Sequence, residues 1–250
     1  MAGADSVAVI ADLEAEQDAI EAMVEGLDEA GWLAPSAAAG WSISDVLLHL
    51  AQSEEAVVSS ISGISSLVDA LPVEGDTIDE IMENRVRAER GEPFVIFERW
   101  RTARRAAVEA LRHADPDARF AWAATPLRPQ ALATTRLAEH WAHALDIAEP
   151  LGVDYPDTDR LRHIAWLAHR TLPYGFGLVG EEAQPVYCEL AAPGGDTWTY
   201  GESDAPSRIT GDAGAFCRVG AQRLAPADSG LVAEGPYADA ALRVLRNYAN

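Results

Sequence analysis

The stretch RLAEHWAHALDIAEPLG, residues 136–152, decides how this chain is read. It closes a helix expected over 130–149, with Pro150 and Gly152 standing where a helix ends. Glu139 and His143 are four residues apart, so they share one face of that helix. Two side chains so placed can bind one metal ion. Asp146 lies three residues further on the same face and is positioned to orient an imidazole from behind. His140 is offset and points toward a neighbouring helix or solvent. On its own, an E-x-x-x-H pair on an apolar helix is more often a buried hydrogen-bonded contact than a metal site, and a metal would need a third ligand from elsewhere.

His49, in WSISDVLLHL, is the best candidate for that ligand. Ser42 followed by Asp45 reads as a capping box that starts a second helix there. Val46, Leu47 and Leu50 give its buried stripe, and His49 sits among them one turn past Asp45. Three protein ligands leave one metal position open for water or substrate.

Outward from these two segments the pattern is helical as far as residue 171. An amphipathic helix is expected over 5–28 from Val7, Ile10, Leu13, Ile20, Val24 and Leu27. A loop follows, then the His49 helix, ending before Gly63. A charged helix covers 76–90. Another covers 94–113, with Phe94, Phe97, Trp100, Ala103 and Leu111 as its apolar positions. Residues 115–129 are irregular, and a helix over 157–171 stops at Pro173. Beyond residue 180, short β-branched runs at 186–190, 197–200, 207–210 and 231–233 alternate with helical patterns at 212–224 and 236–249. The fold class is therefore α+β, with a helical domain over 1–172 and a small α+β domain over 180–250, joined through the Pro/Gly-rich stretch 173–185.

Composition limits the chemistry. The 250 residues are 48% hydrophobic and 24% charged, enough to bury a core without help from disulfides. A net charge of −21 repels phosphate backbones and anionic lipids, which argues against nucleic acid and membrane partners. All 19 basic residues are Arg, so no lysine Schiff base and no P-loop lysine can exist. Cys188 and Cys217 are isolated, no signal peptide is evident and no run is long enough to span a bilayer, so a cytoplasmic protein is expected. The acidic stretches near 12–29 and 74–83 read as solvated faces. Trp32, Trp41, Trp141 and Trp166 could line a pocket, but Trp in a helical bundle is usually core; His163 and His169, six apart on one helix, read as non-ligands. Cys188 reads as strand packing.

Two segments carry a resemblance. GWLAPSAAAGWSISDVLLHL (31–50) resembles the opening signature of DinB-like metal-binding proteins, and E-x-x-x-H…D-I…LG (139–152) resembles the fourth-helix signature of the mycothiol-dependent maleylpyruvate isomerase family. Residues 209–249 resemble that family's smaller second domain, whereas 53–130 match only as generic helices. The resemblance implies an up-down-down-up four-helix bundle and a divalent metal, zinc by default, on His49, Glu139 and His143. It also implies a low-molecular-weight thiol such as mycothiol, used to isomerise, or be transferred to, an electrophilic small molecule. A helix Arg of the second domain would approach the substrate; Arg223 is the nearest match and Arg218 the alternative. A homodimer is an open expectation. Two other readings remain: a thiol-independent metal-assisted lyase, cyclase or hydrolase, and a non-enzymatic small-ligand-binding protein.

Overall fold

The computed structural model describes residues 2–64, 77–122 and 125–248. The described residues pack as two compact units, one running up to Tyr155 and the other from Pro156 to Tyr248. This division falls ahead of the Pro/Gly-rich stretch at which the sequence places the change. The reason is the helix before that stretch, whose Leu161, Ile164, Ala165 and Ala168 are buried and which packs with the second unit.

The first unit holds α1 (Ala2–Val24), α2 (Glu29–Leu33), α3 (Ile43–Ile61), α4 (Ile78–Glu89), α5 (Pro93–His113) and α6 (Pro129–Leu151). Ion pairs give the direction of the four long helices. Asp45 pairs with Arg90 and Glu55 with Arg99, so numbering rises together along α3 and the approach to α5, and the two are parallel. Glu14 pairs with Arg112, Asp18 with Arg104 and Glu21 with Arg101, so α1 and α5 run opposite ways. His49 faces His143 while Glu54 faces Arg136, which makes α3 and α6 antiparallel. The order is up-down-down-up, and the parallel pair α3/α5 requires the long crossover that contains α4.

Between the helices lies a core that includes Ile20, Val24, Trp32, Ile43, Leu47, Leu50, Phe97, Trp100 and Ile147. Burying each large side chain of this kind contributes roughly 1.5–3 kcal/mol. The capping box at the head of α3 is formed as the sequence predicts: Asp45 N–H donates to Ser42 Oγ at 3.1 Å, and Ser42 N–H donates to Asp45 Oδ2 at 2.9 Å.

Several local expectations need correction. The loop before α3 contains the one-and-a-half-turn helix α2. Phe94 is 71% exposed, because it sits in the first turn of α5 on the side away from the core. The acids of 12–29 are not simply a solvated face. Glu14, Asp18 and Glu21 pair with arginines of α5, and the buried Glu16 accepts from Tyr155 Oη. Of the second acidic stretch, residues 74–76 lie outside the described residues.

The second unit holds α7 (Leu161–Arg170), α8 (Leu172–Leu178), β1 (Val186–Ala191), β2 (Thr197–Tyr200), β3 (Ser207–Asp212), α9 (Ala213–Gly220), β4 (Val232–Glu234) and α10 (Ala238–Val244). The sheet order is β2-β1-β3-β4, with β1 and β3 parallel and both edge pairings antiparallel. Val186, Cys188, Leu190 and Ile209 form its buried face. Helix α8, within LPYGFGL, goes against the breaker reading of Pro173 and its glycines. Pro173 occupies the first turn, where no N–H is needed. At Gly175 a Cβ would stand 2.4 Å from the Val244 carbonyl oxygen, so the glycine permits close packing rather than a turn. Trp166, expected in the core, is 42% exposed on α7.

Among the described residues no helix is long and apolar enough to cross a membrane.

Candidate metal centre

The loop that precedes α3 is tied to α6 by a proline. Pro150 has no N–H to return to the carbonyl four residues back. That carbonyl belongs to Asp146, and it accepts instead from Ala37 N–H at 2.9 Å. Ser36 N–H donates to the Trp41 carbonyl at 2.9 Å and Ile43 N–H to that of Ala34 at 3.0 Å, closing a tight turn. Gly40, at φ 81°, turns the chain within it. Arg90 clamps the same region, donating to Asp45 Oδ1 and Oδ2 at 2.8 and 2.9 Å and to the Gly40 carbonyl at 3.1 Å. Trp41, held at the end of this turn, lies over two imidazoles, with ring centroids 5.1 Å from His49 and 6.1 Å from His143.

His49 of α3 and Glu139 and His143 of α6 converge beneath that indole. Each offers one donor atom, and the three atoms lie within 4.8 Å of one another. Glu139 Oε2 is 3.5 Å from His49 Nε2 and 3.6 Å from His143 Nε2. Those separations are at or past the limit of a useful hydrogen bond. They match the edge of a tetrahedron with metal–ligand bonds of 2.0–2.1 Å, which is about 3.4 Å. Two imidazole nitrogens and one carboxylate oxygen are a donor set suited to a divalent ion such as zinc. The histidines are buried, whereas the Glu139 side chain is 26% exposed, so the cluster opens on the carboxylate side.

Asp146 stands where the sequence puts it, behind His143. His143 Nδ1 donates to Asp146 Oδ2 at 2.9 Å, which leaves Nε2 as the lone-pair atom facing the cluster. Burial works against a proton on His143, but Asp146 and Glu139 outweigh it and hold the ring above its ordinary value. Burial lowers His49. Burial alone would raise Glu139, yet His143, His49 and Arg136 beside it hold the carboxyl well below its usual range. His49 Nδ1 is buried and has no hydrogen-bond partner among the described residues, so that ring is fixed by packing against Trp41.

His140, three residues before His143, faces the other way. It is fully buried, and its Nδ1 lies 2.9 Å from the Arg136 carbonyl, which can only accept. Trp100 Nε1–H, which can only donate, points at His140 Nε2 from 3.4 Å, with the Gln17 amide at 3.5 Å. Both contacts select the neutral ring with the proton on Nδ1. Burial and the nearby Arg136 guanidinium push its proton affinity well down. Its Nε2 is therefore engaged away from the triad.

Next to His140 lies a pair that residue-by-residue reading of the sequence missed. Arg136 Nε donates to Glu54 Oε1 at 2.8 Å, and both side chains are almost wholly buried. The signal is present in part, since Arg136, Glu139 and His143 follow one helical stripe. Its partner on α3 is 82 residues away, which no local pattern reveals.

The two arginines considered for substrate belong to the second unit. Arg218 is engaged with Asp157, Nη1 and Nη2 donating to its two oxygens at 2.7 and 2.9 Å. Arg223 does not lie on a helix as expected. Helix α9 ends at Gly220 with Gln222 in the left-handed region, φ 58°, and Arg223 N–H returns to the Arg218 carbonyl at 2.9 Å. That is a Schellman closure, and it places Arg223 on the outgoing turn.

Comparison with known proteins agrees with this architecture. Residues 13–148 match the mycothiol maleylpyruvate isomerase N-terminal domain, a span that contains all three residues of the triad. The chain belongs to that family. An uncharacterized protein of Mycobacterium tuberculosis, from strains H37Rv and CDC 1551, is 34% identical over 251 residues, covering 98% of this chain and 97% of its own length. Crystal structures of a mycothiol-dependent maleylpyruvate isomerase and of one of its point mutants share the fold. Their TM-scores are 0.59 and 0.60 at 14% and 13% identity, with 92% of this chain and 95% of theirs covered.

Proposed function

We propose that this chain is a metal-dependent enzyme of the maleylpyruvate isomerase type, working with a low-molecular-weight thiol on an electrophilic small molecule. One observation carries the proposal: in a member of this family, a carboxylate oxygen lies 3.5 and 3.6 Å from two imidazole Nε2 atoms, all three within 4.8 Å of one another beside a partly open face. His49, Glu139 and His143 would hold a divalent ion, zinc by default. The ion supplies a Lewis acid that favours the thiolate form of a bound thiol over the thiol.

The chain's own residues do the rest. Asp146 keeps the His143 lone pair turned inward. Trp41 covers the two rings and keeps water from that side. Glu139 contributes the anionic ligand on the open side, where thiol and substrate would enter. The thiolate then adds to one carbon of an electrophilic double bond. The displaced electron pair is held as an enolate on the conjugated carbonyl. Rotation about the resulting single bond and collapse of the enolate with departure of the same thiolate complete an isomerisation, whereas return of the thiol's proton to the second carbon retains the thiol and gives a transfer. Arg223 is the proposed group for a substrate carboxylate.

A closed, purely structural site is less well supported. His140 and Asp146, the neighbours able to supply a fourth ligand, are engaged with Trp100 and with His143. The test is elemental analysis of purified protein beside His143→Ala. One divalent ion per chain, lost in the variant, is the expected result. No metal in either after reconstitution removes the thiolate mechanism. Turnover that is indifferent to added thiol would keep the metal and redirect the search to lyases, cyclases and hydrolases.

A further inference from the structure

The Glu54–Arg136 pair lies in the same α3/α6 seam as the triad, one turn along α6 from Glu139. It is more deeply buried than the triad: Glu54 is 0% and Arg136 3% exposed, against 8% for His49 and 9% for His143. The guanidinium lies 5.9 Å from the Trp122 ring centroid and donates through Nε to Glu54 Oε1. His140 Nδ1 is 3.6 Å from that same oxygen. Glu54 Oε2 and Arg136 Nη2 are buried without a hydrogen-bond partner among the described residues.

Stability does not account for such a pair. Two charges taken out of water are rarely repaid by their mutual attraction, least of all when each keeps an orphan atom. The pair has an electrostatic reach, however. Arg136 acts through space on His49, Glu139 and His140, and Glu54 interacts with Glu139. An arginine cannot shed its proton inside a protein. With nothing beside it, Arg136 would place a permanent positive charge next to a centre meant for a cation.

We propose that Glu54 is the counter-charge that makes the triad competent for a divalent cation, by cancelling Arg136 one turn away along the seam. This rests on the metal reading of the triad. Glu54 and Arg136 are positioning residues, acting on the cation only through the field they create. Glu54 removes the penalty that the Arg136 charge would otherwise place on the ion.

The experiment is competition between the protein and a zinc chelator at fixed pH. It compares wild type, Glu54→Gln, Arg136→Gln and the double variant, with apo-protein melting measured alongside. Glu54→Gln keeps the shape and strands the guanidinium, so zinc binding should weaken on the order of 10- to 100-fold. Arg136→Gln should bind as tightly as wild type or more so, and the double variant should return to within about twofold of wild type. A pair that merely packs the seam would leave the double variant at least as weak as Glu54→Gln, and that result overturns the proposal. So does an unchanged Glu54→Gln. If Glu54→Gln fails to fold, weakening of zinc binding in Arg136→Gln or in the double variant overturns it equally. A wild type that binds no zinc brings down the metal reading and this proposal together, whereas zinc lost in His143→Ala but indifferent to position 54 brings down this proposal alone.

Discussion

Two histidines three residues apart on α6 have opposite surroundings. His143 shares its cluster with a second imidazole and a carboxylate, has a carboxylate at its back, and lies beside a partly open face. His140 faces Trp100 and Gln17 in a dry interior and is held neutral by donors and acceptors of fixed kind. The same residue type on one helix thus joins a cluster of metal-binding type in one position and is a packing element in the other. What separates them is the company brought by the neighbouring helices: α3 supplies His49 to the first, α1 and α5 supply Gln17 and Trp100 to the second.

The largest effects should come from exchanging the fates of these two rings. His143→Ala should lose bound metal completely while unfolding near the wild-type apo midpoint. His140→Ala should keep the metal and lose about 2–4 kcal/mol of stability, from the cavity and the orphaned indole N–H. Metal analysis together with urea unfolding reads both, and metal loss in His140→Ala alone would dissolve the contrast.

Asp146→Asn probes the orientation of one ring without touching a ligand. It should weaken zinc about 10- to 100-fold, measured by chelator competition. An unchanged affinity would mean that packing suffices for His143, as it does for His49.

The dry environment of His140 has a pH signature. Its folded value lies well below the ordinary 6.5, so the unfolded chain takes up a proton first. The contribution is full above about pH 6.5 and is lost as pH falls, at up to about 1.4 kcal/mol per unit. His140→Gln removes this dependence. The stability gap between the proteins should therefore narrow by about 1 kcal/mol between pH 6.5 and 5.5, the full slope being reached only at lower pH. A constant gap would place the ring in contact with water.

Smaller still is Ser42→Ala, which breaks the cap at the head of the His49 helix. It should cost about 1 kcal/mol and leave metal content alone.

Much of this was legible in sequence because it is local. The Ser42–Asp45 cap, the i,i+4 relation of Glu139 and His143, and the Asp146 position behind His143 all lie within single helical segments. His49 could be added because its surroundings match a recognisable signature. Short helices carry little signal: α2 has five residues and α8 has two glycines and a proline, so neither has a periodicity to read, and tertiary packing decides them. The direction of His140 was left open by spacing and was settled by Trp100, forty positions away. Glu54 and Arg136 escaped for the same reason. The sequence pattern puts Arg223 on a helix because Gln222, unlike glycine, does not announce a left-handed stop.

Finally, the chain keeps its own sulfur out of reach. Cys188 and Cys217 are both completely buried, and burial pushes the Cys188 thiol up to about 12 and Cys217 well above its usual value. Neither is a nucleophile in the folded protein. Any reactive thiol detected in a native preparation must then have been added to it or carried along with it. A colorimetric thiol count, near zero before denaturation and two after, gives a clean blank against which retention of a small thiol can be read directly.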